Sequence, residues 1–405
     1  MEGEGEEEIQ ANERDFESLQ KSIVLDKYKK KCEEMELTPH QAFVRYLEET
    51  EEDNESIDLV IHGNSKENFT CRVTDIDLKP IVDVLEDYAV YVEEIDLKFN
   101  EIHDEGAQYL SQLIEKSERL LGLNLEGNSI EVNGAQYLAE ALKNCELLQY
   151  LYLNGNKIQT DGAMNITELL FTHKKLLELN LGNNDITHDG IIGILSVLNC
   201  SNYTLEVLNI DNPDYSTICQ STAIHFGKMF QNNLGIQKLS MQKHKMRCAG
   251  VFTIMEYLLE NNTLRVLDLT ANEIKFKGCE SIAKYLRSEN CTLESLHLGA
   301  NECGSFGAKA IAQALPINKS LIHLDMSHNQ IEDFGLLQLA QSLSENSTIL
   351  SIKLFGNHFG QDSLELFYQL FREERENQWY PDFLVYIVDD HYEMAYLETV
   401  LDMDI

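Results

Sequence analysis

The sequence predicts an α/β solenoid, a horseshoe of stacked strand–helix units with a parallel β-sheet on its concave side and helices on its convex side. Three observations carry that prediction. A motif LxxLxLxxN, as in "LRVLDLTANEI" and "LIHLDMSHNQI", recurs along the chain. Its last position falls at Asn64, Asn100, Asn128, Asn156, Asn184, Pro213, His244, Asn272, Asn301, Asn329 and Asn357, mostly 28 or 29 residues apart. Six residues after many of these comes a glycine: Gly106, Gly134, Gly162, Gly190, Gly250, Gly278, Gly307 and Gly335. Self-similarity at such a period marks a repeat architecture, in which no unit buries its apolar face alone.

Each letter of the motif has a physical reason. Alternate residues of a strand face the same way, so Leu123 and Leu125 enter the core together. The Asn stands where the chain leaves the strand, and its amide can satisfy backbone groups of the turn. In the helix "GAQYLAEALKN", Ala135, Leu138 and Leu142 recur at i, i+3 and i+7 and form one apolar face toward the strands.

With these residues in view, the units resemble the leucine-rich repeat family in its long, helix-containing, ribonuclease-inhibitor form. The resemblance covers residues 56–371, about eleven units, irregular at 205–244. Residues 1–20, rich in Glu and bearing Gly, read as an acidic disordered tail. Residues 21–55 read as a helical N-terminal cap, broken near Thr38-Pro39. Residues 372–405 read as a C-terminal cap, where "FLVYIV" and "YEMAYL" flank Asp389-Asp390-His391 and predict a β-hairpin. Trp379 lies at the junction and is expected to pack.

Composition narrows the function. The chain has 405 residues, 43% of them hydrophobic, enough for a sizeable core. Acids outnumber bases 69 to 32, which disfavours direct binding to a phosphate backbone. No apolar run reaches the roughly 20 residues that cross a bilayer. The acidic N-terminal sequence lacks the apolar region of a signal peptide. Nine cysteines without CxxC spacing point to reduced thiols in the cytoplasm or nucleus. Sequons such as Asn261-Asn262-Thr263 and Asn290-Cys291-Thr292 mostly precede the "TL" or "SL" of a new strand, so they read as turn chemistry.

Residues flanking the LxL leucines face the concave wall. Its central column should run Asp96, Asn124, Tyr152, Asn180, Asn209, Ser240, Asp268, His297, Asp325, Lys353. Asp268, His297 and Asp325 then stand side by side, with Ser327 and His323 near. A Ser/His/Asp set or a metal site can be drawn on paper. An open sheet, however, supplies no oxyanion hole, pocket or water-excluding shell. The reading is therefore an acid–imidazole–acid ladder, with no catalytic residue, cofactor, metal or small-molecule substrate. Protein binding fits better, since repeat arrays present extended concave surfaces and exposed aromatics anchor partners. The candidates on the wall are Tyr150, Tyr152, Asp268, His297, His323, Asp325, Lys353 and Phe355. The wall's acids, Asp96, Glu126, Glu178, Asp211, Asp268 and Asp325, suit a basic partner segment as well as they suit a solvated acidic face.

One unit breaks the rhythm. In "LEVLNIDNPDYSTICQSTAIHFGKMF", Leu205, Leu208 and Ile210 keep the strand, but Pro213 replaces the Asn and Cys219 the glycine. The next copy, at His244, follows Pro213 by 31 residues, so a bulge is expected. Lys243, Lys245 and Arg247 surround His244 as a basic island. Pro213, Tyr215, Lys243, Lys245 and Arg247 form the second candidate surface.

This stretch, with "MQKHKMRCAGV", "NNTLRVLDLTANEI", "LVIHGN" and "FLVYIVDD", is similar to one family of leucine-rich repeat proteins over roughly residues 20–395. The resemblance implies a non-enzymatic protein of the cytoplasm and nucleolus with a part in stem-cell proliferation and differentiation. It equally implies an alternative as a scaffold of the ciliary axoneme. The shared repeat type and acidity also resemble the Ran GTPase-activating protein, which implies regulation of a small GTPase, and the ribonuclease inhibitors, which are much richer in cysteine and tryptophan.

Overall fold

The computed structural model describes residues 20–49, 56–214, 220–373 and 380–398. Two helices open it, α1 (Lys21–Glu34) and α2 (Gln41–Glu49). Strands and helices then alternate: β1 (Ile57–Val60), α3 (Asp75–Leu85), β2 (Val92–Asp96), α4 (Asp104–Lys116), β3 (Gly122–Asn124), α5 (Val132–Leu142), β4 (Tyr150–Tyr152) and α6 (Gln159–Thr172). The series continues with β5 (Glu178–Asn180), α7 (His188–Cys200), β6 (Val207–Asn209), α8 (Gln220–Asn232), β7 (Lys238–Ser240), α9 (Arg247–Leu258), β8 (Val266–Asp268) and α10 (Phe276–Leu286). It closes with β9 (Ser295–His297), α11 (Gly304–Ala312), β10 (His323–Asp325), α12 (Asp333–Glu345), β11 (Ser351–Lys353), α13 (Gln361–Glu373) and β12 (Tyr380–Pro381). A hairpin of β13 (Phe383–Val388) and β14 (His391–Tyr396) follows.

Among the described residues, β1 to β12 form one sheet in strict sequence order, and every pair is parallel. Each crossover carries a helix, as a parallel pair requires. The motif leucines fill the space between the layers: Leu123, Leu151, Leu179, Leu208, Leu267 and Leu296 are all buried in one continuous core. The recurring glycine allows each helix to start close against its predecessor. A Cβ on Gly335 would come 2.8 Å from Ser305 Cα and 2.6 Å from Ile331 Cγ2.

The motif asparagines form a buried ladder at the strand exits. Asn301 Nδ2 donates to the carbonyls of Leu269, Leu298 and Gly299 at 3.0, 2.9 and 3.2 Å. Its Oδ1 accepts the N–H groups of Asn272 and Ile274 at 2.8 and 3.0 Å. One side chain thus closes its own turn and staples it to the unit before. The residue preceding each of these asparagines is left-handed, for instance Phe99, Ala271, Ala300 and His328. The first unit departs from expectation: Asn64 is exposed, and Asn68 is buried instead, with Nδ2 on the His62 carbonyl.

A second ladder lies at the strand entries, where the sequons fall. Asn202, Asn233, Asn261, Asn318 and Asn346 are buried. Asn261 is typical, donating to the Phe230 carbonyl at 2.8 Å and accepting from the N–H groups of Thr263 and Leu264 at 3.0 Å. Turn chemistry accounts for these asparagines.

Both ends of the core are covered. Tyr28 and Phe43 of α1 and α2 meet edge to face at 4.8 Å, both buried. At the other end Phe383 of the hairpin packs among Phe359, Phe367 and Phe371. Asp389 and Asp390, at φ 49° and 64°, make the two-residue hairpin turn. The acidic segment 1–19, residues 50–55, Tyr215, Cys219 and Trp379 lie outside the described residues.

Candidate protein-binding surface

Strand register fixes the wall. Asp96, Asn124, Tyr152, Asn180, Asn209, Ser240, Asp268, His297, Asp325 and Lys353 pair in succession from β2 to β11. The adjoining column runs Glu94, Gly122, Tyr150, Glu178, Val207, Lys238. Neighbours in a column are therefore about 4.8 Å apart.

The tyrosines lie along the wall rather than projecting from it. Gly122 has no side chain, and the Tyr150 ring crosses the space it leaves. The Tyr150 hydroxyl thereby reaches the Glu94 carboxylate on β2, a strand beyond its neighbour. Tyr152 donates to Glu178 Oε2. Partial burial and the carboxylate partners together raise the phenol pKa of both, so each holds its proton. The rings stand 5.3 Å apart at 33° and make one aromatic plate over β3 and β4. Beside it is a hollow of about 250 Å³ lined by Lys98, Asn124, Tyr152, Asn180 and Asn209, among others. Together they offer an aromatic plate beside a hollow lined mostly by amide and charged side chains.

The C-terminal half of the wall is built differently. His297 and His323 are buried, with ring centroids 4.8 Å apart. The hydroxyl of Ser351 donates to the Tyr380 carbonyl at 3.1 Å, so His323 Nδ1, 2.8 Å from that oxygen, carries the proton between them. His297 Nε2 bonds to Ser295 Oγ at 2.8 Å. The expected acid–imidazole–acid ladder is absent here. Asp268 accepts from Gln242 Nε2 and the Thr270 N–H at 2.7 and 2.8 Å, and Asp325 from the Ser327 N–H at 2.8 Å. Turn amides compete for the carboxylates more closely than a ring one strand away. Among the described residues, no cluster of three or more His, Cys, Asp or Glu is placed to hold a metal ion. Lys353 is half-buried and joins no ion pair there. Phe355 is not an open anchor, because the Tyr396 ring covers it at 5.1 Å and its N–H bonds to the Asp382 carboxylate.

The irregular unit keeps its turn. Asn212 takes the left-handed conformation at φ 53° although Pro213 follows it. Its N–H donates to the Gln242 carbonyl at 2.9 Å, which sets Pro213 beside the next unit's exit. There His244 does the work of the missing amide. It is buried, and its Nε2–H donates to the Ile210 carbonyl at 2.8 Å. Burial pushes its pKa down to about 4, so the ring is neutral. The basic island therefore consists of the exposed Lys243, Lys245 and Arg247 alone, each left-handed at φ 57°, 51° and 52°. Arg247 Nε pairs with Glu273 at 2.7 Å.

Fold and wall together define a leucine-rich repeat solenoid, and the family described as Leucine Rich repeat matches at residues 90–111, 144–166, 172–195, 260–283, 289–312 and 318–340. The chain is similar to leucine-rich repeat-containing protein 34 of Mus musculus, 30% identical over 224 residues, which cover 48% of this chain and 47% of that one. It is also similar to NACHT, LRR and PYD domains-containing protein 14 of Mus musculus, 25% identical over 123 residues, covering 30% and 12%. The match thus spans about half the length of leucine-rich repeat-containing protein 34. Among solved structures an internalin of Listeria monocytogenes is 14% identical at a TM-score of 0.38, covering 75% of this chain and 82% of that one.

Proposed function

We propose that this chain is a non-enzymatic scaffold that holds a protein partner on the N-terminal half of its concave wall. The observation that carries the reading is the Tyr150–Tyr152 plate beside an open hollow, on a parallel sheet that runs without interruption from β1 to β12. Aromatic rings on a rigid sheet lose little entropy on binding and anchor interfaces well. The carboxylates of Glu94, Glu126 and Glu178 around the plate suit a partner segment carrying Lys or Arg. The finer roles implied by the resemblance belong to the same proposal: nucleolar and cytoplasmic work in stem-cell proliferation and differentiation, or an axonemal scaffold. Proximity labelling in germ or ciliated cells separates the two by the neighbours it marks.

The binding claim is tested by affinity purification with the full chain and with Tyr150→Ala/Tyr152→Ala. Loss of the principal partner from the variant, at an unchanged melting temperature, is the expected result. Equal recovery from both proteins overturns the concave-wall reading.

A further inference from the structure

The hollow beside Tyr152 stands in a wall whose negative charge has no internal partner. From β1 to β6 the concave columns carry Asp58, Glu94, Asp96, Glu126, Glu178 and Asp211 against Lys98. The remaining strands do not redress this, since they add Asp268 and Asp325 against Lys238 and Lys353. Lys98 is taken by Asp96 at 3.5 Å, where His62 Nε2 also bonds at 3.0 Å. Among the described residues, Glu94, Glu126 and Glu178 join no ion pair.

Two of these three carboxylates line the hollow together with Tyr152. Glu126 follows β3 and Glu178 lies on β5, so they approach from the strands on either side of the one that bears Tyr152. Glu178 spends Oε2 on the Tyr152 hydroxyl, which leaves Oε1 as an acceptor. Asn154 belongs to the same lining, and its Oδ1 is buried and accepts no hydrogen bond. Few native amides are left in that state, and a donor in the hollow would complete it. The other amides face the opposite need. Asn124, Asn180 and Asn209 each spend Oδ1 on the N–H two residues on, at 3.1, 3.1 and 3.0 Å, and keep Nδ2 to donate.

We propose that this hollow seats an arginine side chain of the partner, its guanidinium flat against Tyr152 and its N–H groups on Glu126 and Glu178. The inference rests on the reading of the concave wall as a partner site and names the residue the partner brings. A guanidinium is planar, so it stacks on a ring face while its donors point outward in the plane toward acceptors on both sides. A lysine ammonium is a compact, strongly hydrated charge with no flat face to stack. The free Nδ2 groups of Asn124, Asn180 and Asn209 then donate to backbone carbonyls of the segment that carries the arginine.

The test is fluorescence anisotropy with the full chain and a labelled Gly/Ser peptide carrying several arginines. Physiological salt, where the screening length is about 8 Å, suppresses the pull of distant acids. Saturable binding is expected, at least tenfold tighter than for the same peptide with lysine or with the neutral isostere citrulline in place of arginine. Glu126→Gln/Glu178→Gln and Tyr152→Ala should each weaken it at least tenfold. Glu115→Gln/Glu140→Gln makes the same charge change at exposed positions on the outer helices α4 and α5 and should leave binding unchanged. The proposal is overturned by absent saturation, by equal binding of the lysine peptide, by affinity retained in Glu126→Gln/Glu178→Gln, or by equal loss in Glu115→Gln/Glu140→Gln. If one of these occurs while Tyr150→Ala/Tyr152→Ala still loses the principal partner, the arginine seat is refuted and the concave-wall reading stands.

Discussion

The Tyr150 ring occupies the place of the side chain that Gly122 lacks: a Cβ on Gly122 would stand 1.7 Å from Tyr150 Cζ. Two residues 28 positions apart, facing each other across β3 and β4, thus determine the shape of the candidate binding plate. Gly122→Ala should force the ring off the sheet and cost about 1 kcal/mol, the low end for an overpacked site. Urea unfolding measures it, and a double-mutant cycle isolates the cause. In the Tyr150→Ala background the same alanine should cost close to nothing. An equal cost in both backgrounds would assign the strain to the strand rather than to the ring.

His244 gives the protein a pH dependence of known sign. Its folded pKa of about 4 lies below the 6.5 of an ordinary histidine. The unfolded state therefore takes up the proton first. The stability this neutral ring contributes is complete above about pH 6.5 and is lost as pH falls toward 4, by up to about 3 kcal/mol. His244→Asn places the amide found in most of the other repeats there and removes that part of the slope. Melting curves at pH 7.5 and pH 5 for both proteins check it: the difference between the two pH values should be larger for the histidine form.

The asparagine ladder should be energetically uneven. Asn301 satisfies five backbone groups while buried. Asn301→Ala should therefore cost about 3 kcal/mol or more, because several buried polar groups lose their partner at once. Asn64→Ala, at an exposed turn, should stay within about 0.5 kcal/mol. Matched urea curves would show the contrast, and similar losses at both sites would refute the assignment of roles.

Phe383 closes the C-terminal end of the core with Phe359, Phe367 and Phe371 at 5.0, 5.2 and 5.5 Å. Phe383→Ala should destabilise by about 3–5 kcal/mol, the range for a buried phenylalanine. Hydrogen exchange should place the new opening in α13, which the hairpin covers. Uniform loss of protection along the solenoid would contradict a local capping role.

The repeat frame and the wall register were legible because strand periodicity assigns every residue a face, and parallel pairing keeps equivalent residues opposite. Asp389 and Asp390 likewise announced their turn. Side-chain direction within the wall was not legible. That Tyr150 lies flat depends on a glycine 28 residues away, and that His297 turns to Ser295 depends on turn amides having claimed Asp268 and Asp325. His244 looked like part of a basic patch because its neighbours are Lys243 and Lys245; only the left-handed turn separates the two exposed lysines from the inward ring. In the first unit, Asn68 took the buried place expected for Asn64 because its side chain reaches back to the His62 carbonyl.

Site-directed photo-crosslinking tests the central claim most directly. Asn180 lies beside Tyr152 on the wall, and Gln136 is exposed on the outer face of α5. With a photoreactive phenylalanine at one or the other position of the full chain in germ or ciliated cells, the account expects the principal partner to crosslink from position 180 and not from position 136. Crosslinking from position 136 with none from position 180 would contradict it.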